Sequence, residues 1–204
     1  MGKVIFWDVD TQIDFIEPNG KLYVTGAENL KTNLRYLTKL GAAKARLCGS
    51  VDAHLPDDPE FTEWPEHCVY GTPGQHKVTE TLKEAVLFIP SVQFAKNQLL
   101  EVADYRGQVI FEKQDIDVRT NLNVKTFMEM VKPDLLVIYG FVSEICVDNA
   151  VGLFAADLQY DTVVVSDAIK ELDRTKSESC QANWVELGVK LLNTSEVESL
   201  LNRI

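Results

Sequence analysis

The sequence predicts an α/β protein with a doubly wound, mostly parallel central sheet of about six strands and helices on both faces. Two observations support this fold class. Short apolar runs rich in β-branched residues alternate with longer helical patterns along the 204 residues, and such alternation favours strand–helix–strand units with right-handed crossovers. The runs are also nearly continuously apolar, which is typical of strands buried on both faces of a parallel sheet. We expect one domain over residues 1–204.

The order of predicted elements follows from these runs. Six runs are predicted as strands, the last of them weakly: Val4–Trp7, Ala45–Val51, Val109–Phe111, Leu135–Tyr139, Thr162–Val165 and Lys190–Asn193. Four helices are predicted between them: Glu28–Leu40, Asn121–Val131, Glu144–Gln159 and Ser177–Leu187. Gly41, Pro133 and Gly188 lie at or just beyond the ends of three helices, as stop signals do. Residues 52–80 lack periodicity, and irregular loops of this length are usually functional.

Composition excludes several classes of protein. With 20 Lys and Arg against 31 Asp and Glu, the net charge is −11, which argues against a nucleic-acid partner because phosphate backbones require a basic face. No run approaches the eighteen apolar residues of a membrane span. The chain enters a strand-like run almost at once, which is unlike a signal peptide, and its four cysteines are expected to be thiols. We therefore expect a soluble cytoplasmic protein, and a homo-oligomer because exposed faces in this class often pair.

The carboxyl ends of the predicted strands are where a site is expected in an open α/β sheet. Asp8 and Asp10 lie at the end of the first strand. Their spacing of two in an extended chain places both on one face. Two neighbouring carboxylates repel, so the pKa of one should be raised and it would be suited to act as an acid or base. The alternative is a turn in which Asp caps the backbone.

A lysine and a cysteine follow two later strands. Lys113 ends the third predicted strand, where its charge can lower the pKa of a nearby thiol, although a surface lysine is the commoner case. Cys146 lies where residues 140–146 pass from a strand into a helix. The first turn of a helix favours thiolate, and its N–H groups can hold an oxyanion. The alternative for Cys146 is a small buried hydrophobic residue.

The irregular loop offers metal ligands. Asp52 and His54 lie two apart after the second strand, and Glu60 and His67 follow within the same loop. Mixed nitrogen and oxygen ligands suit one divalent ion of zinc, iron or manganese rather than calcium. The alternative is a loop histidine hydrogen-bonded to an aspartate. His76 has no such neighbours and is expected at the surface.

Two aromatic residues accompany these candidates. Trp64 precedes His67 by three residues, and Phe15 follows the Asp10 turn. Aromatic walls suit a flat ring substrate. The alternative is that both side chains anchor their loops in the core.

Together these residues resemble the isochorismatase-like cysteine hydrolases, and within them the nicotinamidase branch, over nearly the whole chain. Residues 10–15 (Asp-Thr-Gln-Ile-Asp-Phe) are similar to the family's opening Asp-x-Gln-x-Asp-Phe, and residues 140–147 are similar to its nucleophile turn. The resemblance implies a catalytic triad of Asp10, Lys113 and Cys146. It also implies a cis peptide bond at Phe141–Val142 and an oxyanion hole formed by the N–H groups of Val142 and Cys146.

The nicotinamidase branch implies a particular reaction. In it, a metal held by Asp52, His54, His67 and Glu60 would bind the pyridine nitrogen. Phe15 and Trp64 would enclose the ring. A small-molecule amide, nicotinamide, would react with water through a Cys146 thioester to give nicotinate and ammonia, as a step of NAD salvage.

Three alternatives stay open on the sequence. A metal-free isochorismatase-type or other amide or ureido hydrolase would use the same triad. A haloacid-dehalogenase-type phosphatase would use Asp8 as its nucleophile, and an inert binding subunit would have the same fold without catalysis. Two departures from the family bear on the choice. Asp8 replaces an apolar strand residue, and Arg119 is expected to face the site and favour an acidic substrate.

Overall fold

A computed structural model describes residues 3–203 and contains a seven-stranded sheet in which every neighbouring pair of strands is parallel. The strands are β1 (Val4–Val9), β2 (Arg46–Asp52), β3 (Val86–Ile89), β4 (Gln108–Lys113), β5 (Leu135–Phe141), β6 (Thr162–Lys170) and β7 (Lys190–Leu192). Their order across the sheet is β3-β4-β2-β1-β5-β6-β7. The predicted fold class is confirmed, with one strand more than expected.

Helices cover both faces of this sheet. They are α1 (Ile13–Ile16), α2 (Lys31–Lys44), α3 (Lys96–Asp104), α4 (Val124–Val131), α5 (Asp148–Val151), α6 (Arg174–Glu186) and α7 (Thr194–Leu201). π-Helical turns at Ser143–Val147 and Gly152–Asp157 adjoin α5, so residues 143–157 form one helical segment. This segment matches the predicted helix Glu144–Gln159 closely.

The apolar runs are explained by two separate cores. Along β1, Ile5 and Trp7 pack into one core, which also contains residues of α3, α4, α5 and α6. Val4 and Phe6 pack into the other, which contains residues of α1, α2 and α7. Because successive residues of a strand point to opposite faces, a strand covered on both sides needs apolar residues at nearly every position.

Sequence patterns missed four elements, namely strand β3 and helices α1, α3 and α7, of which α1 has four residues. Strand β3 has four residues at the edge of the sheet, and its Phe88 is exposed, so it lacks the pattern of a buried strand. Helices α3 and α7 have nine and eight residues. The first turn of α7 is instead fixed by a capping box in which Asn193 accepts from the N–H of Glu196.

Two expectations drawn from composition can be compared with the fold. Across residues 3–203, no helix has the length and apolar character needed to cross a membrane. All four cysteines are free thiols, as predicted.

The course of the chain places the site. After β1 the chain builds β2, β3 and β4 on one side of it and then returns to add β5 on the other side. A reversal of this kind leaves a crevice beyond the carboxyl ends of the strands, where ligands bind in open α/β sheets. The ends of β4, β2, β1 and β5 therefore lie side by side, and each carries or adjoins a predicted site residue.

Gly140 in β5 gives a test of how closely β1 and β5 approach below this crevice. Its φ is +123°, and a Cβ there would lie 2.0 Å from the carbonyl oxygen of Val9. We expect Gly140→Ala to lower the free energy of unfolding by more than about 3 kcal/mol, since clash and strain act together. Urea unfolding measures this. Gly188→Ala is the control, because Gly188 has φ +87° with nothing near its Cβ, and should cost about 1–2 kcal/mol. An equal loss of unfolding free energy in Gly140→Ala and Gly188→Ala would contradict the close approach of β1 and β5 at Gly140.

Candidate active site

The side chain of Lys113 lies at the centre of the site and is 1% exposed. Its Nζ is 2.9 Å from Asp10 Oδ2 and 3.6 Å from Cys146 Sγ, and it donates to Asp52 Oδ1. Burial alone would lower the pKa of Lys113, but the negative charges of Asp10, of Asp52 and of Cys146 in its thiolate form raise it well above its ordinary value. The lysine is therefore a fixed cation between two carboxylates and a thiol.

Asp10 is held in one orientation from both sides. It lies just beyond β1 with φ +46°, in the left-handed region. Its Oδ1 accepts from Ser50 Oγ at 2.7 Å, which leaves Oδ2 facing Lys113. The Asp10 N–H also donates to the Ser50 carbonyl at 3.1 Å. These contacts orient one carboxylate oxygen toward the thiol region.

Cys146 lies in the π-helical turn Ser143–Val147 that follows β5, and the Phe141–Val142 peptide bond before it is cis, as the resemblance implies. Burial raises the pKa of the Cys146 thiol well above its ordinary value, although the charge of Lys113 opposes the shift. In the resting site burial thus opposes the thiolate form that the helix terminus is predicted to favour. A thiol in this state needs a neighbouring base to become a thiolate, and a carboxylate oxygen of Asp10 lies within 4.8 Å of Cys146 Sγ.

The four predicted metal ligands come together. The Nε2 atoms of His54 and His67 lie 4.0 and 3.9 Å from Asp52 Oδ2, and 3.8 and 3.9 Å from Glu60 Oε1. Ligands about 2.1 Å from a tetrahedral ion are about 3.4 Å apart, so this spacing is close to that of a metal site. Together with Asp52, the two histidines form a buried group able to hold an ion.

The histidines are oriented as metal ligands usually are. His54 Nδ1 contacts Asp58 Oδ2 at 3.1 Å, and His67 Nδ1 contacts the Pro65 carbonyl at 2.7 Å. Such partners direct the other ring nitrogen at an ion. His54 Nε2 is buried with no hydrogen-bond partner in the structure of residues 3–203, and burial lowers the pKa of His67, which favours the neutral, ligating imidazole. The residues present therefore fit a divalent cation.

Carboxylates complete the cluster. Burial, followed by the charge of Asp52, raises the pKa of Glu60 to about 7. Burial also raises the pKa of Asp52, against the charge of Lys113. Both shifts reflect acidic groups withdrawn from water, and a divalent ion would favour their ionised forms.

Gln12 fixes the backbone beside Asp52. Its Oε1 accepts from the Asp52 N–H at 2.7 Å, and its Nε2 donates to the carbonyls of Asp52 and Gln75, both at 2.8 Å. Asp14, two residues on, accepts from the Cys68 N–H at 2.7 Å. The turn after β1 thus holds the loop with the candidate metal ligands next to Asp10.

A small cavity with a volume of about 20 Å³ opens between these two groups. Its polar lining is Asp52, Glu60, His67 and Cys146, and its apolar lining is Phe15, Leu22, Trp64, Ile116, Val142, Ile145 and Leu172. Both predicted aromatic walls are thus placed at the cavity. Within the described part of the chain, this lining contains no arginine or lysine. The nearby Lys113 is already paired with two carboxylates.

Several residues of the site were missed by sequence reasoning. Leu22, Ile116, Ile145 and Leu172 are ordinary apolar residues whose spacing carries no signal. Asp58 orients His54, and Phe61 packs edge-on against both imidazoles at 5.3 and 5.8 Å. Phe61 has the same signal as Trp64, an aromatic residue within the ligand loop. His76 is exposed, as expected.

Asp8 does not share a site with Asp10. Its side chain is fully buried, and Oδ2 lies 3.0 Å from Lys77 Nζ, which also donates to Thr11 at 2.8 Å. The pKa of Asp8 is raised as predicted, mainly by burial and only slightly by Asp10. A carboxylate enclosed in this way cannot attack a phosphate, which argues against the phosphatase alternative.

Arg119 is also placed differently from the prediction. Its guanidinium pairs with Asp117 at 3.1 Å and with Asp157 at 2.8 Å, and it is absent from the cavity lining. The expectation that Arg119 faces the site is wrong. The reason is that Asp117 and Asp157, the last residue of the helical segment 143–157, already pair with the guanidinium.

The sequence matches the Isochorismatase domain over residues 8–196. The chain belongs to the isochorismatase family of hydrolases. Among curated proteins, none matches the sequence.

Solved structures share the fold at low identity. An isochorismatase-like hydrolase from Alkaliphilus metalliredigens has a TM-score of 0.76 at 17% identity, with 97% of this chain and 98% of that chain covered. A nicotinamidase/pyrazinamidase from Bacillus subtilis has a TM-score of 0.73 at 18% identity, with 94% of this chain and 100% of that chain covered. A pyrazinamidase from Pyrococcus horikoshii in complex with zinc has a TM-score of 0.72 at 20% identity, with 94% of this chain and 99% of that chain covered. At these identities the likeness concerns the fold alone.

The Asp8–Lys77 pair leads to a prediction about stability. We expect Lys77→Met to lower the free energy of unfolding by about 3–5 kcal/mol, because it leaves Asp8 buried without its partner. The double variant Asp8→Val/Lys77→Met should recover most of that loss. Urea unfolding measures both. The exposed pair Arg174–Glu178, at 2.8 Å, is the control, since Arg174→Ala should change stability by about 1 kcal/mol or less. Full stability of Lys77→Met would contradict the prediction.

Proposed function

We propose that the protein is a metal-assisted cysteine amidohydrolase whose substrate is nicotinamide, converted to nicotinate and ammonia. The observation that carries the proposal is the meeting of two groups at one cavity. The Cys146 thiol lines this cavity and lies next to Lys113, which pairs with Asp10. The candidate metal ligands Asp52, Glu60 and His67 line the same cavity. Hydrolysis fits the first group, and recognition of a ring nitrogen fits the second. In a cell this reaction would belong to NAD salvage.

Asp10, Lys113 and Cys146 would carry out acyl transfer in the following steps. Asp10 takes the proton of the Cys146 thiol, and Lys113 stabilises the thiolate by its charge. The thiolate attacks the amide carbonyl, and the N–H groups of Val142 and Cys146 donate hydrogen bonds to the developing oxyanion. Asp10 then gives its proton to the departing nitrogen, and ammonia leaves. With Asp10 again as base, water attacks the thioester and releases the acid and the thiol.

The metal-ligand cluster is assigned to substrate binding. Asp52, His54, His67 and Glu60 would hold one divalent ion of zinc, iron or manganese, which when bound would anchor the nitrogen of a pyridine ring. Phe15 and Trp64 line the cavity beside these ligands and supply flat apolar surface for that ring.

The cavity lining favours a neutral amide over the substrates of the metal-free alternative. Isochorismate carries two carboxylates, and recognition of a carboxylate ordinarily uses an arginine or lysine. The lining residues supply neither, and Arg119 is paired elsewhere. The orphaned Nε2 of His54 would also be unexplained in an enzyme without a metal.

Removing the nucleophile tests the covalent mechanism. We expect Cys146→Ala to lower the rate of ammonia release from nicotinamide by at least about a thousandfold. Cys180→Ala is the matched control, because Cys180 is a half-buried free thiol on α6 that does not line the cavity, and it should retain activity. Ammonia release by Cys146→Ala at a rate near that of the unchanged protein would refute the mechanism. A complete lack of ammonia from the unchanged protein would leave the inert-subunit alternative.

Removing a histidine tests the metal site. We expect His54→Asn to reduce zinc affinity by at least about 10–100-fold, measured by equilibrium dialysis with elemental analysis. The KM for nicotinamide should rise with it, because the ring loses its anchor. His76→Asn is the control, since His76 is exposed and outside the cluster. Zinc affinity equal in the two variants would contradict the assignment.

A further inference from the structure

One wall of the cavity comes from the connection between β6, which ends at Lys170, and α6, which begins at Arg174. Leu172 in this connection lines the same cavity as Cys146, yet it is 41% exposed. Ile116 also lines the cavity and is 36% exposed. The side chains of Leu172 and Ile116 therefore form part of the rim of the cavity, between its interior and the solvent.

Glu144 fixes the position of Leu172. Its Oε1 accepts from the backbone N–H of Leu172 at 2.9 Å and from that of Asp173 at 2.6 Å. Glu144 stands two residues before Cys146 in the nucleophile turn, so these bonds tie the rim directly to the nucleophile. Hydrogen bonds to a charged acceptor are about twice as strong as neutral ones.

The Glu144 carboxylate that holds the Leu172 backbone is itself held in place. Glu144 Oε2 accepts from Ser143 Oγ at 3.0 Å, and Ser143 shares a buried hydrogen bond of 2.8 Å with Ser177 of α6. Asp173 caps the same helix by accepting from the Lys176 N–H at 3.1 Å. The nucleophile turn, the rim and the start of α6 are thus joined, and Leu172 has little freedom to withdraw from the cavity.

We propose that Leu172 is a specificity-determining residue that limits the size of molecules reaching Cys146, and that Glu144 is the positioning residue that holds it there. A cavity of about 20 Å³ has space for about one water molecule. Any ring-sized molecule must therefore displace rim side chains, and the bulk of the rim sets the cost of entry. The proposal deepens the proposed function, but it concerns access to the thiol and is testable without turnover.

The test compares a small and a bulky thiol reagent. Iodoacetamide and N-phenylmaleimide are reacted separately with the full chain, and modification of Cys146 is followed by peptide mass spectrometry. The quantity of interest is the rate constant for N-phenylmaleimide divided by that for iodoacetamide. Changes in the intrinsic reactivity of the thiol largely cancel in this ratio. We expect Leu172→Ala to raise this ratio at least about tenfold, because a difference of a single methylene group in an apolar pocket already changes discrimination between molecules by about that factor.

Controls separate the rim from general effects. Leu100→Ala removes a leucine of similar exposure, 49%, on α3 away from the cavity, and should leave the ratio unchanged. Leu172→Phe should lower the ratio, which gives a second variant should Leu172→Ala not fold. Glu144→Ala should raise the ratio, whereas Glu144→Gln, which retains an acceptor oxygen, should restore it to within about twofold of the unchanged protein.

The outcomes distinguish this inference from the proposed function. Equal ratios for Leu172→Ala and Leu100→Ala, or an unchanged ratio in Leu172→Phe, would overturn the role of Leu172. A ratio in Glu144→Gln as high as in Glu144→Ala would overturn the positioning role of Glu144. Ammonia release from nicotinamide by the unchanged protein is measured in parallel. Its absence, with the ratio still responding to Leu172, would reject the amide substrate alone.

Discussion

The buried ammonium of Lys113 is the charge around which the carboxyl ends of four strands are arranged. Withdrawing an ammonium from water is costly unless anionic partners and hydrogen bonds replace its hydration. Lys113 obtains them from Asp10 after β1, Asp52 at the end of β2, Cys146 after β5 and the Asp115 carbonyl beyond its own strand. The contacts of this one ammonium thus hold Asp10, Cys146 and Asp52 close together at the ends of neighbouring strands, and the proposed roles of all three residues depend on it.

Asp52 connects this arrangement to the metal-ligand cluster. One of its oxygens accepts from Lys113, and the other lies 3.9–4.0 Å from the two imidazoles. The side-chain amide of Gln12 holds the Asp52 backbone on both sides of its Cα, by accepting from the N–H and donating to the carbonyl. A ring anchored at the ligands and a carbonyl presented to the thiol would therefore be separated by a fixed distance, set by one carboxylate. This constraint explains how an irregular loop of nearly thirty residues contributes to an ordered site.

The sequence predicted the parts of the molecule whose signal is local. Apolar runs along the chain predict the buried strands, and the ends of those runs predict the turn that contains Cys146. The residue types within 52–67 predict the candidate metal ligands. The edge strand β3 was missed because an edge strand needs no buried pattern. The separation of Asp8 from Asp10 depends on Lys77, almost seventy residues away, and the pairing of Arg119 depends on Asp157. Contacts between distant positions leave no trace in the periodicity of one chain.

The most direct test of the account is to trap the acyl-enzyme. Protein mixed with nicotinamide is quenched rapidly in acid, digested and analysed by mass spectrometry for a nicotinoyl group. We expect this group as a thioester on Cys146, formed before ammonia release reaches its steady rate. Ammonia release at full rate with no acyl group on Cys146, or with the group on another residue, would contradict the assignment of the nucleophile and of the charge arrangement that serves it.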